Sequence, residues 1–131
     1  GRIMNFASIG GRANRGVPVT YAGFKAAAIG LTRALALELA ADGITVNSMA
    51  PASLDTSAFE RIPEKDSIPM QPPKGALKGG PGATRGGSFL PDRPVATLDE
   101  IAHVIVFMSS DDSAFLTGDC LDVNGGQFMQ P

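Results

Sequence analysis

The 131 residues contain no Trp, one Tyr, one His and one Cys. Each scarcity excludes something. A lone Cys120 can form no internal disulfide, so a cytoplasmic setting is the default. One His and one Cys cannot make a zinc site of the common types, and no metal is expected. Basic and acidic residues nearly balance, 11 against 13, and the basic ones are scattered. Nucleic acid is therefore not an expected partner, since that binding needs a basic face. No apolar run approaches the roughly 18 residues of a membrane span, and no signal-peptide pattern is present, so no membrane association is expected. What the chain does have is apolar content, 44% against 18% charged. That suits one globular domain with a real core.

Along the chain, residues 2–8 predict a short buried strand. It starts at once after Gly1 with no initiator Met, which gives the look of a piece of something longer. Gly10, Gly11, Asn14, Gly16 and Pro18 predict a loop over 10–18. An Ala- and Leu-rich helix is expected from about Thr20, as N-cap, to Ala40, with Gly43 as its C-terminal glycine. A second strand opens at Ile44 and ends before Pro51. Seven of the ten prolines and six of the sixteen glycines fall within 63–94, where no period of 2 or 3.6 survives. This predicts a long irregular loop, 57–92, of the kind that serves as a lid over a site or stays disordered. Thr97-Leu98-Asp99-Glu100 is a capping box opening a helix with Ile101, Val104, Ile105 and Met108 along one stripe. Leu121-Asp122-Val123 is a short strand and Asn124-Gly125-Gly126 a turn. Strand, helix, strand, helix, strand implies parallel strands with crossover helices, an α/β fold.

The chemistry concentrates at Tyr21 and Lys25. Residues i and i+4 share one helix face, so the phenol and the ammonium stand side by side. A free phenol has a pKa of about 10 and works as acid or base best when that value is drawn toward the operating pH. A cation within a few ångströms favours the phenolate, and a first-turn position adds the positive end of the helix dipole. Taken alone, such a pair is more often an amphipathic Tyr beside a solvated Lys. Ser8, with Gly10 and Gly11 after it, sits where a strand ends. That is where open α/β sheets bind ligands, and a hydroxyl there is placed to hydrogen-bond a substrate oxygen.

Several segments together carry a resemblance. Asn5-Phe6-Ala7-Ser8-Ile9-Gly10-Gly11 is similar to the N-x-S-S-x-x-G segment of the short-chain dehydrogenase/reductase family. Tyr21-Ala22-Gly23-Phe24-Lys25 matches its Y-x-x-x-K. Asn47 through Pro51, with Thr56, resembles its N-x-x-x-P-G-x-x-x-T region. Leu116-Thr117-Gly118 and Val123-Asn124-Gly125-Gly126 resemble its T-G and V-D-G-G signatures. The resemblance implies a doubly wound, Rossmann-like parallel sheet. It also implies NAD or NADP as cofactor and a small-molecule carbonyl/alcohol substrate interconverted by hydride transfer. It gives Ser8 the role of polarising the substrate oxygen, Tyr21 that of acid/base, and Lys25 that of assisting Tyr21 and holding the nicotinamide ribose. Pro51, Ala52, Leu54 and Thr56 match positions bordering the nicotinamide. A homo-oligomer, dimer or tetramer, is implied as well.

There are departures. Ala7 and Ala52 stand where Ser and Gly are usual, and Asn124 stands for Asp. An Ala at 52 is harmless unless that residue needs a positive φ. The family's upstream T-G-x-x-x-G-x-G turn is absent, so residues 1–131 look like the C-terminal, catalytic half of one Rossmann-like domain, with 57–92 as substrate lid. The alternatives are a non-catalytic assembly or interaction module on the same fold, or a half-enzyme that needs a separate N-terminal segment to bind the dinucleotide. The small face Gly23, Ala26, Ala27, Gly30, Ala34 fits either close packing on the sheet or a partner helix. His103 is expected at the surface, and Cys120 as a packed or interface thiol.

Overall fold

The computed structural model describes residues 1–13, 17–55, 88–90, 92–93 and 95–129. Strands β1 (Arg2–Phe6), β2 (Thr45–Pro51) and β3 (Cys120–Val123) form a parallel sheet in the order β1-β2-β3. Its register sets Arg2 against Thr45, Phe6 against Met49, Ser48 against Cys120 and Pro51 against Val123. Helices α1 (Gly10–Ala13) and α2 (Val19–Glu38) join β1 to β2, and α3 (Leu98–Ser109) lies between β2 and β3. The alternation is the one the sequence predicts, and the architecture is Rossmann-like α/β.

Successive strand residues face opposite sides of a sheet, and β1 uses both. Asn5 Nδ2 donates to Thr32 Oγ1 of α2 at 2.9 Å, while Arg2 Nε donates to the Ser110 carbonyl behind α3 at 3.4 Å. The two residues are an odd step apart, so α2 covers one face and α3 the other. Because the strands advance in one direction, the two crossovers have opposite hands, and one departs from the usual right-handed rule. On the α2 side Ala7, Ala50 and Cys120 pack against Ile29 and Ala28. The central strand is buried on both faces, with Val46, Met49 and Ala50 fully enclosed, as parallel strands require. β1 is not the buried strand the sequence predicts. It is an edge among the described residues, and Ile3 and Phe6 on it stay exposed.

Helix ends follow local chemistry, with two corrections. Thr20 is not an N-cap. α2 starts one residue earlier, behind Pro18, whose φ of −54° already suits a helix start and whose carbonyl accepts the Ala22 N–H. The predicted 10–18 loop also begins as helix α1, whose amides at Arg12 and Ala13 donate to the Ile9 carbonyl. Gly43 does close the α2 region: at φ 66° it caps the 3-10 turn Ala40–Asp42 that follows the helix. Both halves of the Thr97/Glu100 capping box form, and Arg93 pairs with Glu100. Ile101 and Met108 are buried on the stripe, and His103 is exposed.

Nearly all of 57–92 lies outside the described residues. Its two roots are fixed nevertheless. Leu54 pairs with Ala96 in an isolated parallel bridge, and the Phe89 N–H donates to the Gly125 carbonyl at 2.8 Å. Gly125 has φ 56°, and a Cβ there would stand 2.3 Å from Ser88 Oγ. The glycine thus allows both the turn and the close approach. Among the described residues no helix is long and apolar enough to cross a membrane.

Candidate active site

β1 runs out at Phe6, and Ala7 and Ser8 carry the chain past the sheet's C-terminal edge. The Ala7 N–H still donates to the Met49 carbonyl at 2.8 Å, and the Ile9 N–H to the Pro51 carbonyl at 3.2 Å. The turn bearing Ser8 is therefore stitched to the end of β2. Ser8 is buried, at 9% exposure. Its Oγ accepts the Gly10 N–H at 3.1 Å. With the acceptor side of the hydroxyl engaged there, its proton is free to be given to a ligand oxygen.

Tyr21 is the third residue of α2, in its first turn. Its ring lies against the same Gly10: a Cβ built there would be 3.1 Å from Tyr21 Cε1. Lys25 follows one helical turn on, with Nζ 5.8 Å from the centre of the Tyr21 ring, within reach of a cation–π contact. Lys25 Nζ also donates to the Phe6 carbonyl at 2.8 Å, at the last residue of β1. Ser8 and Tyr21 thus meet at Gly10, and Lys25 joins them through the Tyr21 ring and the Phe6 carbonyl at the same end of β1.

Pro51, Ala52 and Leu54 lie beside them at the end of β2. Ala52 has no positive φ, so Ala in place of Gly carries no strain there. The bridge to Ala96 is made by the Asp55 N–H and the Ser53 carbonyl, at 2.8 and 3.1 Å. In a parallel bridge of this kind the peptide N–H and C=O of Leu54 itself point the other way. Thr56, the remaining predicted position, lies outside the described residues. A cavity of about 290 Å³ opens between this segment and α3, reached by Ala52, Ser53, Val104, Val123 and Gln127.

Two buried polar groups add to the site's frame. Asn47 donates from Nδ2 to the Leu116 carbonyl at 2.8 Å and accepts the Asp119 N–H at 3.1 Å, fixing the segment that leads into β3. Asn124 accepts the Gly126 N–H and donates to the Phe128 carbonyl, both at 2.9 Å. The second bond needs an amide donor, which the Asp usual at this position in its ionised form does not offer. Sequence reasoning missed Arg12 altogether. Its side chain is 8% exposed, with Nε 3.3 Å from Asp122 Oδ1 and Nη2 donating to the Cys120 carbonyl at 2.9 Å. Burial pushes the Asp122 carboxyl above its ordinary range, Arg12 pulls it down, and Asp119 pushes it up again.

Comparison with known proteins bears on the family and the fold. A family model described as enoyl-(acyl carrier protein) reductase matches residues 1–127. The chain is 40% identical over 132 residues to an acetoacetyl-CoA reductase of Shinella zoogloeoides, covering 98% of this chain and 47% of that protein. It is 34% identical over 131 residues to the 3-oxoacyl-acyl-carrier-protein reductase of Escherichia coli (strain K12), covering 98% of this chain and 46% of that one. A crystal structure of a 3-oxoacyl-acyl-carrier-protein reductase with bound NAD from Brucella melitensis superposes with a TM-score of 0.70 at 30% identity. There the match covers 99% of this chain and 42% of the other. The chain thus spans about half the length of the curated relatives it matches.

Proposed function

The chain belongs to the short-chain dehydrogenase/reductase family, and from that premise we propose that it is the C-terminal, catalytic half of an NAD(P)-dependent oxidoreductase interconverting a carbonyl and an alcohol. The observation that carries the reading is that Ser8 and Tyr21 both contact Gly10 just past β1, with Lys25 over the Tyr21 ring and bonded to the last carbonyl of β1.

The residues present fit the nicotinamide end of the cofactor. Lys25 makes no ion pair among the described residues, and its single described hydrogen bond, to Phe6, leaves two ammonium protons for ribose hydroxyls. The outward peptide group of Leu54 offers a donor and an acceptor for a carboxamide, beside Pro51 and Ala52, with Thr56 next in line. The nicotinamide supplies or takes up the hydride when bound. Ser8 gives a hydrogen bond to the substrate oxygen, polarising the carbonyl. Tyr21 delivers a proton to that oxygen in reduction and removes it in oxidation. Lys25, one turn along, stands as a cation beside the ring of the group that exchanges the proton. The substrate is a small molecule bearing the carbonyl/alcohol pair; the lid expected over 57–92 lies almost wholly outside the described residues.

The sequence of residues 1–131 contains no T-G-x-x-x-G-x-G segment to take a pyrophosphate. The half-length match favours an N-terminal segment, joined or separate, that binds the rest of the dinucleotide. A homo-oligomer, dimer or tetramer, and a cytoplasmic setting complete the reading. The small face of α2, Gly23 through Ala34, is exposed rather than packed on the sheet, beside Phe24 at 76% and Leu37 at 84%. That supports a partner helix.

The test adds NADH and NADPH separately and follows the fluorescence of the reduced nicotinamide itself, for the chain alone and with an upstream segment taken from a relative. A change in that fluorescence, and turnover abolished by Tyr21→Phe, are expected. No binding in either format sinks the enzyme reading and leaves an assembly module.

A further inference from the structure

We propose that Arg12 is a positioning residue for Ser8: its buried guanidinium ties the turn that carries the serine to β3, two strands away. This rests on the reading of Ser8 as the donor to the substrate oxygen and adds what holds that donor still.

The argument follows the bonds outward. Ser8 Oγ accepts the N–H of Gly10, the first residue of α1, so the hydroxyl's direction depends on where α1 sits. α1 is a single turn built from Gly-Gly-Arg-Ala, too short and too glycine-rich to hold itself. Two contacts fix it. On one side Gly11 is pressed onto the backbone of α2 at Lys25 and Ala26. On the other side Arg12 reaches β3, donating to the Cys120 carbonyl at 2.9 Å, standing 3.3 Å from Asp122 Oδ1, and lying 5.8 Å above the Phe128 ring. Burying a guanidinium costs heavily unless it is paired. Such a pairing is weak evidence for stability as such and better understood as a device for register. Arg12 donates from Nη2 to the carbonyl while its Nε stands within ion-pair distance of the carboxylate, without a hydrogen bond between them, a span that a Lys ammonium on a flexible stem does not cover. The arrangement fixes α1, and with it Ser8, relative to a strand whose end borders the same site.

The experiment compares wild type, Arg12→Met, Arg12→Lys and Asp122→Asn by hydrogen exchange of backbone amides, with turnover measured alongside. The Gly10 amide reports directly on the bond to Ser8. In Arg12→Met it should exchange about tenfold faster or more, with the interior of α2 unchanged. Turnover should fall roughly tenfold to a hundredfold in kcat with KM little moved, since misplacement by a fraction of an ångström harms the chemistry more than binding. Arg12→Lys should recover part of both effects, and it also serves if the Met variant does not fold. Unchanged Gly10 exchange together with faster exchange at Leu121 and Asp122 would overturn the proposal and make Arg12 a clamp for β3 only. Wild type that shows no turnover with an upstream segment present removes the enzyme reading, while the Gly10 result still judges the tether.

Discussion

Gly11 meets α2 at Lys25 without room for a side chain. A Cβ at that position would lie 2.5 Å from the Lys25 carbonyl carbon and 2.6 Å from the Ala26 nitrogen. Both are backbone atoms, which cannot swing aside as a flexible side chain would. Gly11→Ala should therefore push α1 off α2 and cost about 1–3 kcal/mol, the range for overpacking, measured by denaturant unfolding. The same change at Gly23, where a Cβ meets nothing within 4 Å, should stabilise instead by about 0.5–1 kcal/mol through helix propensity.

Lys25 holds the Phe6 carbonyl and faces the Tyr21 ring. Lys25→Met keeps most of the stem's packing and removes the charge. Its half-exposed hydrogen bond is worth about 0.5–1.5 kcal/mol, so unfolding should shift little. Binding of NADH or NADPH, read from the nicotinamide's own fluorescence, should weaken clearly, because the ribose contacts assigned to the ammonium are gone. Equal binding by wild type and variant would remove Lys25 from the cofactor site.

Asn47 is almost fully buried and uses both ends of its amide, toward Leu116 and Asp119. Asn47→Ala removes two part-buried hydrogen bonds, at about 0.5–1.5 kcal/mol each. Asn47→Asp keeps the acceptor and sets a carboxylate against the Leu116 carbonyl, and it should be no milder at neutral pH. Thermal unfolding of the two variants ranks them.

Much of this was legible in the sequence because the signals are local. The Thr97/Glu100 capping box, the Gly43 terminator and the Tyr21–Lys25 spacing depend on residues within a turn of one another, and each appears as expected. The strand-helix alternation likewise follows from periodicity. Most of what was missed depends on contacts distant in sequence. α1 has the composition of a loop, and it is helical because it is wedged between α2 and β3. Thr20 has the chemistry of a cap, but Pro18 sets the helix start before it. Arg12 gives no sign of burial, because the carbonyl it holds lies 108 residues away. The small face of α2 admits two accounts from composition alone. Only the fold turns it to solvent, since α2 meets the sheet through Ile29, Thr32 and Ala36 instead.

Asp122 supplies a pH test. Burial raises its folded-state pKa above the ordinary value of about 3.8, against the pull of Arg12 and with a further push from Asp119. A folded state that holds the proton more tightly than the unfolded chain gains from protonation. The contribution from Asp122 is thus fully present below pH about 3.8 and is lost as pH rises through the raised folded value. Asp122→Asn cannot titrate, so its unfolding free energy should lack this component. The difference between wild type and variant should drift against wild type as pH climbs from about 4, then level off. Arg12→Met removes the pull that lowers the carboxyl, so its drift should begin at the same pH and extend to higher pH before levelling. A wild-type difference that grows in the opposite sense would mean that the ion pair with Arg12, rather than burial, governs this carboxyl.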